Sequence, residues 1–192
     1  MVHILGGTYI AFVALLFETI RGILLALGAF LVVFLLLSFF SRSKLFTLLR
    51  QLNCRKEEDN HSVLINVLLT LIILSTIFFV FYNYPASFAV ACLSIAWGDA
   101  AGEFIGKFFP FGKYRIFNQK SFSGSVAVFL FNCLAFLIAP LYCGYSIECS
   151  WAWKIMVGAL ICTLSEAFSW KWLDNLYIPI VASLLMFCFT SF

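Results

Sequence analysis

The chain has 192 residues, of which 64% are hydrophobic and 11% are charged, and its formal net charge is +3. A soluble domain of this length exposes far more charge, whereas a helix in lipid can be as apolar outside as inside, so the composition predicts an integral membrane protein. Because the positive charge is small and dispersed, nucleic acid is excluded as a predicted partner.

Apolar runs of the length that crosses a bilayer, roughly 20 residues, occur along the whole sequence. They cover 4–20, 22–40, 63–82, 86–105, 125–142, 152–170 and 176–192. No basic segment precedes the first run and no small-residue cleavage site follows it, so it is expected to be a retained helix and not a signal peptide. We therefore predict one all-α, multi-pass membrane domain over residues 1–192, with about seven transmembrane helices.

The distribution of Lys and Arg among the loops predicts the orientation, since cytosolic loops are enriched in these residues. The loops after the second, fourth and sixth runs, with the flanking positions, hold Arg42, Lys44, Arg50, Arg55, Lys56, Lys107, Lys113, Arg115, Lys120 and Lys171. The opposite side holds Arg21 and Lys154. The N-terminus and these three loops are therefore expected in the cytosol, with the C-terminus on the other side.

Cysteine and histidine give little indication of a metal site. The seven cysteines contain no CxxC pair, and the two histidines are far apart in the sequence, so a zinc site is not expected. Cys143 and Cys149 share one predicted external loop. A disulfide between them is one alternative there if the compartment is oxidising.

The stretch "GDAAGEFIGK" places Asp99, Glu103 and Lys107 at intervals of four residues, which puts them on one helix face. One or two carboxylates, completed by water and substrate phosphates, commonly hold Mg²⁺. The alternative is a salt-bridged helix end. Gly98, Gly102 and Gly106 form a second stripe with the same spacing, which indicates either close helix packing or backbone opened for a phosphate.

The segment "KSFSGS" immediately precedes the fifth apolar run. Its lysine, hydroxyls and helix-start amides are typical of an anion site, contributed by Lys120, Ser121, Ser123, Gly124 and Ser125. The alternative is a positive-inside anchor followed by a serine N-cap. Further on, Glu166 lies near the end of the sixth run, and Asp174 and Asn175 precede the seventh. Ionisable groups at such positions are functional candidates, although Asp174 and Asn175 also fit a helix N-cap.

Together, "GDAAGEFIGKFFPFGK", "KSFSGS" and "SEAFSWKWLDNLYIPIVASLL" resemble the family of dolichol kinase, phytol kinase and CTP-dependent diacylglycerol kinase. That family is in turn similar to phosphatidate cytidylyltransferase. The resemblance covers about residues 97–185, with His3 and Gly7 as a weaker N-terminal match. The corresponding residues are Gly98, Asp99, Gly106, Gly112, Lys120, Ser121, Gly124, Ser125, Glu166, Asp174, Asn175 and Pro179.

The chain also departs from the family pattern. Lys107 replaces an arginine, Phe108–Phe111 lengthens the glycine element by two residues, Ser123 stands where the family usually has Glu, and the basic pair before His3 is absent. Glu103 also has no counterpart, so its assignment as a metal ligand rests on helical spacing.

The resemblance implies phosphoryl transfer from a nucleoside triphosphate, with CTP favoured, to a lipid alcohol taken from the bilayer, and it implies a divalent cation such as Mg²⁺. Asp99, Glu103 and Asp174 are the expected metal ligands, with Glu166 as an alternative. Gly98, Gly106, Lys107, Gly112, Asn175 and the KSFSGS residues would bind the nucleotide. Lys120 would contact the phosphates, and Glu166 or Asp174 would accept the hydroxyl proton. The alternatives are a phosphatidate cytidylyltransferase and a non-enzymatic transporter or scaffold.

Overall fold

The computed structural model describes residues 6–12, 28, 31–32, 60–116, 119–169 and 174–191, and the described part of the chain is mostly helical. Residues 6–12 are helical. The later elements are α1 (Asn60–Val80), α2 (Pro85–Leu93), a π-helix (Ser94–Asp99), α3 (Ala100–Phe108), β1 (Lys113–Arg115), β2 (Gln119–Ser121), α4 (Phe122–Tyr142), α5 (Trp151–Ala167) and α6 (Asp174–Ser191).

The last five predicted transmembrane segments are confirmed as helices, and their ends agree with the observed ends to within three residues. Within the described residues, Pro85–Phe108 and Phe122–Tyr142 are long and apolar enough to cross a membrane. At a rise of about 1.5 Å per residue, both exceed the roughly 30 Å of the hydrocarbon layer. Most of the first and second predicted segments, and the basic residues between 42 and 56, lie outside the described residues.

The segment Ala86–Leu93 of α2 is buried along its whole length. Alanine and serine make up half of its positions, and these small side chains let α1, α4 and α6 pack closely around it. Residues 6–12 also pack against this helix. A Cβ at Gly7 would lie 2.7 Å from the Ala96 Cβ, and Trp97 Nε1 donates a hydrogen bond to Thr8 Oγ1 at 2.8 Å. The long helix that carries Asp99 is therefore the centre of the described bundle.

A π-helix at Ser94–Asp99 interrupts this long helix, and the sequence analysis did not predict it. A π-turn inserts an extra residue per turn and shifts the faces of the helix that follows it, and such turns are frequent at functional sites. Gly98 and Asp99 are its last two residues. Asp99 therefore lies at the one irregular turn of this apolar helix.

The prediction of an all-α fold was incomplete, because a small antiparallel hairpin connects α3 to α4. β1 and β2 pair with Lys113 opposite Ser121, Tyr114 opposite Lys120 and Arg115 opposite Gln119. Each strand has three residues, so no alternating pattern of useful length marks it in the sequence. The hairpin positions Lys120 and leads directly into the first residue of α4.

Candidate functional site

The glycine stripe of the long helix packs directly on α4. A Cβ at Gly98 would lie 2.6 Å from Asn132 Nδ2, one at Gly102 would lie 2.3 Å from Val128 Cγ2, and one at Gly106 would lie 2.9 Å from Ser121 Oγ. Real Cβ atoms do not approach neighbours this closely. The close-packing interpretation of the GxxxG pattern is therefore confirmed.

This packing also fixes where the predicted acidic residues lie along the helix relative to the start of α4. Gly106 is level with Ser121, whereas Gly98, eight positions earlier, is level with Asn132, so Asp99 lies roughly 10 Å along the helix axis from the level of Ser121. Asp99 is half-buried, whereas Glu103 and Lys107 are exposed on α3. The acidic face predicted from the spacing therefore runs from the bundle interior to its surface.

The hairpin directs Lys120 into the protein. Tyr114 and Lys120 are cross-strand partners at the centres of their strands, and both are half-buried. The Tyr114 hydroxyl shares a hydrogen bond of 2.6 Å with Ser125 Oγ on α4. Lys120 Nζ forms an ion pair with Glu166 Oε1, and each of the two side chains is only 10% exposed. Two predicted site residues from separate motifs are thereby joined.

The end of α5 provides further partners for Lys120. Its ammonium donates to the Glu166 carbonyl oxygen at 2.7 Å and lies 3.5 Å from Ser169 Oγ. Ser169 also donates to that carbonyl, from its backbone N–H at 3.2 Å and from its hydroxyl at 2.7 Å. A cation at a helix C-terminus compensates the partial negative charge of the terminal carbonyls. Ser169 was not among the predicted site residues, because a lone serine after a helix gives no sequence signal.

The first turn of α4 has the serine N-cap predicted as the alternative to an anion site. Ser121 Oγ accepts a hydrogen bond from the Gly124 amide at 3.1 Å. The amides of Phe122 and Ser123 donate to the carbonyl oxygens of Gly112 and Phe111, at 3.1 and 3.4 Å. Backbone donors expected to bind phosphate are thus occupied by the chain itself.

The acceptors of these two amides are the last residue of the Phe-Pro-Phe segment, which lengthens the family-like glycine element, and the glycine that follows it. Ser123 Oγ donates to the Phe109 carbonyl at 2.5 Å and accepts from the Phe111 amide at 3.2 Å. Gly112 completes the turn with φ of 63°, a conformation that side-chain-bearing residues rarely adopt. We call residues Phe109 to Gly112 the capping turn, because it closes the N-terminus of α4.

The remaining predicted residues lie at the beginning of α6. Asp174 is the first residue of this helix, which agrees with the predicted helix start, but its side chain lies outside the described residues. Asn175 is half-buried, and Pro179 is buried inside α6. Since α6 contacts both α5 and the π-helix, its N-terminal residues belong to the same bundle as Glu166 and Asp99.

The described side chains do not by themselves form a metal cage. No three His, Cys, Asp or Glu side chains come together in the part of the chain that the structure describes. Glu166 is engaged with Lys120, and Glu103 projects from the exposed surface of α3. A protein-built Mg²⁺ site therefore does not fit these residues alone, and the substrate phosphates would have to supply ligands.

The sequence analysis also did not single out a buried amide beside Asp99. Asn132 is fully buried in α4 and donates from Nδ2 to the Val128 carbonyl at 2.9 Å, while its Oδ1 has no hydrogen-bond partner among the described residues. It contacts Gly98, the neighbour of Asp99. An amide at this depth gives polar character to the interior of the bundle.

Comparison with known proteins adds no further assignment. The chain matches no protein-family model, none of the curated proteins and none of the solved structures with which it was compared.

Proposed function

We propose that the protein is a multi-pass membrane lipid-alcohol kinase, with its N-terminus and site in the cytosol. It would transfer the γ-phosphoryl group of a nucleoside triphosphate, preferably CTP, to an isoprenoid alcohol or diacylglycerol. The observation that carries the proposal is the buried Lys120–Glu166 ion pair, which joins the KSFSGS segment to the SEAF segment across 46 positions of sequence. These are two of the three motifs that resemble the lipid-alcohol kinases.

The orientation is supported by the connections between helices. The connection from α3 to α4 contains Lys113 and Arg115, both exposed, whereas residues 143–150 between α4 and α5 contain no base. This asymmetry favours the first connection as cytosolic. The proposal extends this orientation to a topology of seven transmembrane helices with the N-terminus in the cytosol.

In the proposed reaction, the hydroxyl oxygen of the acceptor bonds to the γ-phosphorus. The bond from that phosphorus to the β,γ-bridging oxygen breaks, and its electron pair leaves with the nucleoside diphosphate. The hydroxyl proton goes to Glu166 or Asp174. Asp99 and Asp174 would hold a Mg²⁺ ion bound to the nucleotide, and this ion would neutralise charge on the phosphates. The protein mainly positions the reactants and neutralises charge, as phosphoryl transfer requires.

The capping turn adds a requirement to this proposal. In the described conformation, the amides of Phe122 and Ser123 bind the chain, and Lys120 binds Glu166 and its carbonyl. Nucleotide binding through these groups requires the capping turn to move from the start of α4. The backbone donors at the helix N-terminus would then become available to phosphate oxygens.

Two other functions compete with this one. A phosphatidate cytidylyltransferase would use the same groups but would cleave the nucleotide between its α- and β-phosphates. A non-enzymatic scaffold or transporter is favoured by a specific observation, namely that Lys120 and the first amides of α4 already have partners within the chain. In that case, the ion pair and the glycine stripe would serve helix packing alone.

The position of the transferred label distinguishes these functions. The purified protein in lipid nanodiscs is given CTP labelled on the γ- or the α-phosphate, with diacylglycerol, phytol, dolichol, undecaprenol or phosphatidate. Transfer of γ-label to an alcohol supports the kinase. Transfer of α-label to phosphatidate with pyrophosphate release would instead establish the cytidylyltransferase.

Matched variants connect any transfer to the site. Asp99→Asn should abolish it, whereas Glu148→Gln, which removes an exposed carboxylate between α4 and α5, should leave it intact. If a folded protein transfers neither label with CTP or ATP, the kinase proposal fails and the scaffold or transporter remains.

A further inference from the structure

An exposed cluster of phenylalanines surrounds the capping turn. We call Phe104, Phe108, Phe109, Phe111 and Phe122 the phenylalanine surface. All five are more than half exposed, and Phe111 reaches 75%. The rings of Phe104 and Phe108 are 4.6 Å apart, and the hydrogen bond from the Phe122 amide to Gly112 holds Phe122 beside the capping turn. A contiguous apolar surface of this kind indicates contact with a partner or with lipid.

The position of this surface identifies the partner. Among the described residues, two helices are long and apolar enough to cross a membrane; Phe108 is the last residue of one, and Phe122 is the first residue of the other. The surface therefore lies at the level where both helices leave the bilayer. Aromatic side chains are favoured at this level, where the headgroups meet the acyl chains.

Basic residues border the phenylalanine surface. Lys107, Lys113 and Arg115 are exposed, and Glu103 is the exposed acid on the same stretch. Lys113 and Arg115 flank Tyr114 along β1, and the Tyr114 hydroxyl is hydrogen-bonded to Ser125 on α4. Both basic residues are exposed, so their charges are accessible and complement an anionic surface.

We propose that the phenylalanine surface and its basic border bind the headgroups of anionic phospholipids. The rings of Phe109 and Phe111 would enter the boundary between headgroups and acyl chains, and Lys113 and Arg115 would contact lipid phosphates. Long basic side chains can keep their stems in apolar surroundings while their charged ends reach the headgroups. The Phe-Pro-Phe insertion then has a second role besides capping α4, because it anchors the hairpin to the membrane.

The test places a photo-crosslinker at the surface of the full-length protein. Phe111→p-benzoylphenylalanine is reconstituted in nanodiscs of phosphatidylcholine with 5 mol% phosphatidylglycerol, and the adducts are identified by mass spectrometry. The same crosslinker at Leu141, an exposed position near the opposite end of α4, is the positional control. We expect lipid adducts at both positions, with phosphatidylglycerol enriched only at 111.

Charge variants test the basic border. Each basic residue near an anionic membrane surface is worth about fivefold in lipid preference. In Lys113→Gln with Arg115→Gln, the phosphatidylglycerol share at position 111 should fall close to its mole fraction. Ser146→Glu with Ser150→Glu changes the net charge equally at exposed positions of the other connection and should retain the enrichment.

Several outcomes would overturn the inference. Crosslinking of position 111 to a second copy of the chain, or to no lipid, contradicts it. So do adducts that contain phosphatidylglycerol only in proportion to its mole fraction, and an enrichment that survives in the double glutamine variant. Gel filtration of each variant verifies that it is folded, which is expected because the changed side chains are exposed.

Discussion

The ammonium of Lys120 forms an ion pair with the carboxylate of Glu166, and the two residues are 46 positions apart in the sequence. The contact attaches the hairpin to the C-terminal end of α5. Both side chains are only 10% exposed, so neither charge has much access to water. Removing one partner leaves the other charge buried and poorly compensated.

The first prediction is that Lys120→Met and Glu166→Gln each lower the free energy of unfolding by about 3 kcal/mol. The double variant Lys120→Met with Glu166→Gln should lose clearly less than the sum of the two single losses, because no buried charge remains. Thermal unfolding in detergent measures the three values. Lys107→Met, at an exposed position, is the control and should change stability by less than about 0.5 kcal/mol. If the stability lost in the double variant equals the sum of the two single losses, Lys120 and Glu166 do not interact as a specific pair.

Much of the helical framework could be predicted from the sequence. An apolar run bounded by Pro, Gly or charge reports directly on helix length, so the ends of α1 and of α4 were obtained to within three residues. The pairing of Lys120 with Glu166 could not be predicted. It depends on how the hairpin is oriented on α5, and that orientation is fixed by tertiary contacts such as the hydrogen bond between Tyr114 and Ser125.

The second prediction concerns the glycine contact between α3 and α4. A Cβ at Gly124 would lie 2.9 Å from the Gly102 carbonyl oxygen, which is backbone and has little freedom to move. Gly124→Ala should therefore destabilise the protein by roughly 1–3 kcal/mol through overpacking, measured by thermal unfolding in detergent. At Gly102 the nearest atom belongs instead to the Val128 side chain.

Adding Val128→Ala to each glycine variant tests this difference between the neighbours of Gly124 and Gly102. Val128→Ala should recover part of the stability lost in Gly102→Ala, because it removes the Val128 methyl group that clashes with the new Cβ at position 102. It should not recover the loss in Gly124→Ala. Equal rescue of both variants would show that the helices separate freely and that the close approach is unimportant.

The third prediction is that Ser123→Ala loosens the capping turn. The Ser123 hydroxyl donates to the Phe109 carbonyl and accepts from the Phe111 amide, so its removal leaves both groups to water. The loss of stability should be about 1 kcal/mol. Limited chymotrypsin digestion should cleave after Phe111 several times faster than in the unchanged protein.

Tyr114→Phe is the control for this variant. It removes the hydrogen bond to Ser125 and leaves those of the capping turn in place. Cleavage near Phe111 should therefore change much less than in Ser123→Ala. Equal acceleration in both would mean that the hairpin and the capping turn open together.

The unpredicted parts of the site are those where local sequence carries little information. Ser94–Asp99 has no residue that specifies a π-turn, and the hairpin strands are too short for an alternating pattern. The amides at the start of α4 were expected to be available, because a helix N-terminus normally has unpaired donors. They are occupied by a turn that the sequence showed only as an insertion, so its role becomes visible only in three dimensions.

The fourth prediction concerns the thiols beyond the end of α4. Cys143 and Cys149, considered as a disulfide pair from the sequence, are both free thiols in the structure. Burial raises the pKa of Cys143 to about 11, since it disfavours the charged thiolate. At pH 8 only about one in a thousand of these thiols is ionised, and the thiolate is the form that reacts. Cys149 is exposed.

Iodoacetamide should therefore modify Cys149 well before Cys143 at pH 7.5, with the sites resolved by peptide mass spectrometry. The rate at Cys143 should rise about tenfold for each pH unit up to roughly pH 10, because each unit below the pKa multiplies the thiolate fraction by ten. Cys149→Ser is the control and should leave the slow rate at Cys143 unchanged. Equal rates at pH 7.5 would contradict the burial of Cys143, and a disulfide-linked peptide in unreduced protein would contradict the free thiols.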